Sequence, residues 1–209
     1  MTILVDEIGT VAAQNIDAIL RSAGAGAWRR LAEGGWAALG ADPDAGLDVR
    51  AIQEVARVTG RYPVSTPLIP TLLAGRWFQP SADQMELGIG IALPHGDRLA
   101  VPYFSSSMVT LDAAGDPLSL AGREIAEDSF SEVMALGLIS ATGDVRGLTA
   151  KHEAELHAVL AAVAVGCADA VLDQSVAWSG TRTQFSQPIR AFQAVRHSRA
   201  QRRDRLVPL

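Results

Sequence analysis

The sequence predicts an α+β fold with an N-terminal helical cluster, a small β-barrel-like middle module, and the long C-terminal helices of a bundle. Three observations carry this. Apolar residues recur at helical spacing up to about residue 80. Short β-favouring runs cut by Pro, Gly and Asp fill 87–139. One Ala-rich helical pattern then runs from Thr149 to about Trp178. The corresponding parts are residues 1–86, 87–145 and 146–209.

In the first part, Val11, Ile16, Ile19 and Leu20 mark a helix over 1–24 that the small-residue cluster 22–26 breaks. A short helix follows around Trp28–Ala38. Asp48 stands where a helix N-cap belongs, before Val49, Ile52, Val55 and Val58 on one face, and Gly60 stands at the expected stop. Pro67 and Pro70 bracket the start of a further helix over 68–78. In the second part, strands are predicted at Leu87–Leu93, Leu99–Tyr103, Ser107–Leu111 and Val133–Ile139, with a turn at 114–117. In the third, Thr149 caps the long helix, whose alanines and Gly166 suit close approach by another helix.

The 209 residues, 48% hydrophobic, suffice for a substantial core. No run approaches the roughly 18 apolar residues of a membrane helix, and the N-terminus lacks a basic stretch followed by an apolar one. A soluble, cytoplasmic protein without membrane contact is therefore expected. The net charge of −5 disfavours nucleic acid as a partner, and the basic RHSRAQRRDRL near the end reads as a solvated helix face. The single Cys167, within AAVAVGCADAVL, is expected to pack as a small core residue.

Several apparent motifs carry no chemistry. Gly88-Ile89-Gly90 lacks the third glycine and following helix of a dinucleotide loop. His152 and His157 are five apart, not the three or four that share a helix face, so no metal site is expected. The stretch RTQFSQPIRAFQAVRH at 182–197 is different. It concentrates an Arg, two Phe and three Gln around Pro188, taken as the turn between two helices. By residue type alone, Arg182 reads rather as a solvated helix-end cation, with Phe185 and Phe192 as core.

The order of parts and this stretch resemble the acyl-CoA dehydrogenase family. Its pattern R-x-Q-F-G-x-P-I-x-x-F-Q-x-x-x-H is met by Arg182, Gln184, Phe185, Pro188, Ile189, Phe192, Gln193 and His197, with Ser186 in the glycine's place. LAEGGWAAL at 31–39, AIQEVARVTG at 51–60 and YPVSTP at 62–67 agree more loosely.

The resemblance implies FAD as cofactor. Arg182, Gln184, Phe185 and Gln193 would contact a flavin held mainly by a neighbouring subunit: the guanidinium a pyrophosphate, the ring a flat apolar face, and Gln193 phosphate or adenine. It also implies a homo-oligomer or a full-length homologue as partner, with acyl-CoA as substrate of the complex. A non-enzymatic scaffold that keeps the fold without flavin is the alternative.

The sequence departs from the family in three ways. Residues 87–145 show neither its Thr-Glu-Pro motif nor its Trp strand, and IALPHGD stands there instead. The family's catalytic glutamate is missing from its alternative place near Leu156. Glu153 and Glu155 are the nearest carboxylates, and a shift of one residue turns a side chain by roughly 100° around a helix, which leaves Glu155 a weak candidate base. The remaining helices of the family's C-terminal core are not present, and the bundle surface they would cover is expected to meet a partner.

Overall fold

The computed structural model describes residues 7–41, 48–131, 134–141 and 146–193. The N-terminal helices are α1 (Glu7–Ala23), α2 (Ala27–Glu33), α3 (Val49–Gly60), α4 (Leu68–Phe78) and α5 (Ala82–Leu87). The Asp48 carboxylate accepts from the Ala51 N–H and caps α3. Ser81 and Gln84 close a capping box on α5, an element absent from the sequence expectation. Ile16, Leu31, Ile52, Val55, Leu68, Leu72 and Leu73 form the centre of the main core.

The Thr71 hydroxyl donates to the Pro67 carbonyl and accepts from the Ile89 N–H, fixing where the chain leaves the helices for the strands. β1 (Ile89–Ile91) pairs in parallel with β4 (Val109–Leu111). β2 (Leu93–His95), β3 (Arg98–Pro102), β6 (Met134–Ser140) and β5 (Ile125–Ser131) form an antiparallel sheet in that order. The expected barrel-like module is therefore corrected: among the described residues the strands form two open sheets. Their short lengths and a register shift between Asp128 and Ser131 leave the edges unjoined. β5 was not anticipated, because its sequence IAEDSFS carries little of the Val- and Ile-rich signature of a strand.

The long helix α6 (Ala150–Thr181) is capped by Thr149, whose hydroxyl accepts from the His152 N–H. It lies along α3. Arg57 binds Asp169 at 2.8 Å and Arg61 binds Asp173 at 2.7 Å. The Gln53 amide donates to the Ala158 carbonyl. Two glycines make the crossing close: a Cβ on Gly60 would lie 2.2 Å from the Val163 oxygen, and one on Gly166 would lie 1.9 Å from the Arg57 oxygen. α3 ends at Gly60, as its position suggests. The same glycine also permits the close backbone approach of Val163.

Two further expectations change here. Cys167 is exposed on α6, since the core-facing positions are those turned to α3. By length and composition alone α6 could cross a membrane, with a window of mean hydropathy 1.7, because Asp169 and Asp173 are its only charges between Val159 and Thr181. Asp169 is bound to Arg57 of α3 and Asp173 to Arg61, the residue that follows α3, the contact of a bundle helix.

After α6, β7 (Thr183–Gln184) and β8 (Gln187–Pro188) form a small hairpin that leads into a 3-10 turn at Ile189–Ala191. The reversal lies at Phe185 and Ser186, with φ of +49° and +63°, the sign a two-residue I′ hairpin turn requires. Pro188, expected to set the turn, instead occupies a strand position opposite Thr183.

Candidate functional site

Arg182 is the C-cap of α6. Its N–H donates to the Trp178 carbonyl, and its own carbonyl accepts from the Ile189 N–H, so the hairpin folds back onto the helix end. The guanidinium carbon stands 5.7 Å from the Trp178 ring centre, a cation–π contact, and makes no ion pair among the described residues. Gln184 is exposed beside it in β7. Phe185 at the hairpin tip is 89% exposed, with its ring edge-on to Phe192 at 6.3 Å. Gln193 is exposed at the last described position. His197, the final residue of the family pattern, lies outside the described residues. The structure therefore gathers Arg182, Gln184, Phe185 and Gln193 at one end of α6, on a surface rather than in a pocket.

A free cation, an outward aromatic ring and two amides suit the edge of a flat, anionic cofactor such as FAD.

Glu155 lies elsewhere, between α4 and α6. It accepts from Arg76 Nε at 3.1 Å and from Trp77 Nε1 at 2.8 Å. Burial alone would raise its pKa. The bonds from Arg76 and Trp77, with the charges of Arg76 and Lys151, outweigh that and hold it below the ordinary carboxylate value. A general base needs a reachable, proton-seeking oxygen, and both oxygens here are engaged by donors. His152 stacks flat on Trp77 at 4.7 Å and meets the edge of Phe78, and its Nδ1 is buried without a partner. His157 is exposed on the same helix.

Sequence reasoning missed Arg76, Trp77 and Tyr103. Tyr103 follows β3 with φ of +59° and lines two cavities. One, of about 420 Å³, is an open groove bordered by Tyr62, Val163, Cys167, Val171 and Gln174. The other, of about 60 Å³, lies among Leu73, Trp77, Leu156 and Leu160. Leu156 thus reaches a cavity between helix and sheet, but with an apolar side chain. No sequence signal marks Tyr103, because its neighbours come from parts of the chain distant in sequence.

Along α6, a third of a turn from the α3 face, run Leu160, Ala164, Cys167, Val171, Gln174 and Trp178, alternately four and three residues apart. All six are exposed, Val171 at 63% and Trp178 at 57%. Ala161, Ala168, Ser175 and Ala177 flank them, so the outer face of the helix carries no charge as far as Arg182.

Comparison with known proteins agrees with this geometry. The sequence model of the acyl-CoA dehydrogenase C-terminal domain matches residues 154–204, which include most of α6 and the hairpin. The ChsE4–ChsE5 complex from Mycobacterium tuberculosis is similar at a TM-score of 0.70 and 16% identity, over 96% of this chain and 74% of that one. Butyryl-CoA dehydrogenase from Megasphaera elsdenii is similar at 0.69 and 13% identity, over 99% and 77%. The steroid acyl-CoA dehydrogenase variant Tcur3481–Tcur3483 is similar at 0.57 and 21% identity, over 93% and 69%. These structures share the fold. No curated protein matches in sequence. The C-terminal segment 154–204 thus matches the acyl-CoA dehydrogenase C-terminal domain, and nearly the whole chain shares the fold of solved acyl-CoA dehydrogenases.

Proposed function

We propose that this chain is a subunit of an FAD-dependent acyl-CoA dehydrogenase that works with a partner subunit carrying the catalytic base. The reaction is α,β-desaturation of an acyl-CoA thioester. The observation that carries this reading is the continuous exposed surface running from the uncharged outer face of α6 into Arg182 and the Phe185 hairpin. An uncharged, partly apolar helix face of this length is a docking surface for other helices. A partner seated on it stands next to Arg182, Gln184, Phe185 and Gln193.

In this arrangement Arg182 neutralises part of the cofactor's pyrophosphate, Phe185 covers an apolar face and Gln193 supplies an amide to phosphate or adenine. FAD, when bound, accepts the hydride leaving the acyl β-carbon. Glu155 holds α4 to α6 through Arg76 and Trp77 and leaves removal of the α-proton to the partner. The heteromeric ChsE4–ChsE5 and Tcur3481–Tcur3483 structures support a two-chain organisation, and the steroid in the latter's description supports a bulky acyl group.

Co-expression with a full-length homologue tests this. A complex that purifies yellow with flavin absorbance, while the lone chain purifies colourless, is the expected outcome. Tight flavin binding by the lone chain, or turnover of acyl-CoA by it that Glu155→Gln abolishes, would overturn the division of labour. A stable complex without flavin would point to the scaffold alternative.

A further inference from the structure

Arg57, Arg61 and Arg76 each donate to a carboxylate, that of Asp169, Asp173 and Glu155 respectively. A partner of that kind offsets the charge and occupies N–H donors. Arg182 has the Trp178 indole instead, its guanidinium carbon 5.7 Å from the ring centre. An aromatic face attracts a cation without neutralising it and without taking up its N–H donors. No Asp or Glu occurs between Asp173 and Asp204, so no acidic neighbour in sequence competes for this guanidinium.

The backbone fixes where the Arg182 side chain starts. Its N–H donates to the Trp178 carbonyl at 2.9 Å, and its carbonyl accepts from the Ile189 N–H at 2.9 Å. Trp178 and Arg182 are four residues apart, the spacing at which side chains on a helix meet. Beyond the pinned backbone lie rotatable bonds whose freedom a ligand must remove, and the ring removes part of it beforehand. The indole adds little to the core: Trp178 is 57% exposed, whereas Trp28, Trp36 and Trp77 are half-buried. A substitution at so exposed a position has little effect on stability.

We propose that Trp178 is the positioning residue for Arg182: its indole face holds the guanidinium at the end of α6, still charged and with its donors free, for the pyrophosphate of the bound cofactor. The inference rests on the reading of Arg182 as a cofactor contact. A carboxylate in place of the ring would hold the arginine equally well but would repel the phosphates.

Flavin titration of the co-expressed complex tests it. Trp178→Leu keeps an apolar side chain on the helix and removes the ring, and should weaken FAD binding about fivefold, the worth of one cation–π contact. Trp178→Tyr restores a ring and should return the affinity to within about twofold of the wild type. In an Arg182→Ala background, Trp178→Leu should change nothing further. The lone chain gives an independent readout. With isotope-labelled arginine, the Arg182 Nε–H resonance, identified by its disappearance in Arg182→Ala, should move in Trp178→Leu as ring shielding is lost, while the melting temperature stays the same. Equal FAD affinity of Trp178→Leu and the wild type, a loss that persists in the Arg182→Ala background, an unmoved arginine resonance, or failure of Trp178→Leu to assemble with the partner would overturn the positioning role. Unchanged FAD affinity in Arg182→Ala itself would instead overturn the cofactor contact on which that role rests.

Discussion

Gly166 of α6 faces Arg57 of α3 so closely that a Cβ would stand 1.9 Å from the Arg57 carbonyl oxygen. The obstructing atoms are backbone, which cannot rotate aside, so one methyl group must push the helices apart. Gly166→Ala is therefore expected to destabilise the protein by about 1–3 kcal/mol, although alanine is the better helix former. Thermal melting checks this, and an unchanged or raised Tm would show that the crossing is looser than described. Because the Arg57–Asp169 and Arg61–Asp173 pairs span the same crossing, the variant should also lose part of their contribution.

Glu155 joins α4 to α6 as a charged acceptor. Its folded pKa is lowered, so it contributes stability above its unfolded value of about 4.3, and that contribution is lost as pH falls through the lower folded value. Glu155→Ala should cost about 1.5–3 kcal/mol near neutral pH. Glu155→Gln keeps an acceptor for Trp77 and should cost less. Denaturant melts between pH 3 and pH 7 should show a shallower acid decline in Glu155→Gln than in the wild type; parallel curves would remove Glu155 from the explanation.

Ser186 occupies the second position of the hairpin turn with φ of +63°, where a side chain is strained. Ser186→Gly should raise stability by about 0.5–1 kcal/mol, the relief of strain being partly offset by the greater freedom of glycine when unfolded. A neutral or destabilising result would mean that the hairpin does not hold this conformation.

Val171 and Arg182 separate docking from cofactor binding. Val171→Asp places a charge in the middle of the uncharged face of α6 and should abolish association with the partner while leaving the melting of the lone chain nearly unchanged, since the site is exposed. Arg182→Ala should leave association intact and weaken FAD binding in the complex by about 1.5–3 kcal/mol. Gel filtration reads the first effect and flavin titration of the purified complex the second. If both variants fail in the same assay alone, docking and cofactor contact are one surface.

Local signals were legible where a residue acts on its own neighbourhood. Asp48 and Thr149 cap the helices they precede, because a cap needs only a side-chain oxygen within three residues of the N–H it accepts from. Helical periodicity placed α3, α4 and α6 within a few residues of their observed limits, and RTQFSQPIRAFQAVRH pointed to the end of α6. Signals failed where the partner lies far along the chain. Gly60 ends α3 as its position suggested, but its contact with Val163, more than one hundred residues away, left no local signal. Cys167 looked like core because its neighbours in sequence are apolar, while its direction depends on which side of α6 meets α3. Phe185–Ser186 replaced Pro188 as the turn because backbone sign, which composition does not report, decides where a hairpin reverses.

By itself, then, the sequence determined the order of helices and strands and the stretch that carries the family resemblance, since both depend on spacing within a few turns. Only the tertiary structure decided that Glu155 is bound by Arg76 and Trp77, that Arg182 and Phe185 face outward, and that Tyr103 divides two cavities. Each of these is a fact about which distant side chains share a volume, and burial and hydrogen bonding act through that volume rather than along the chain.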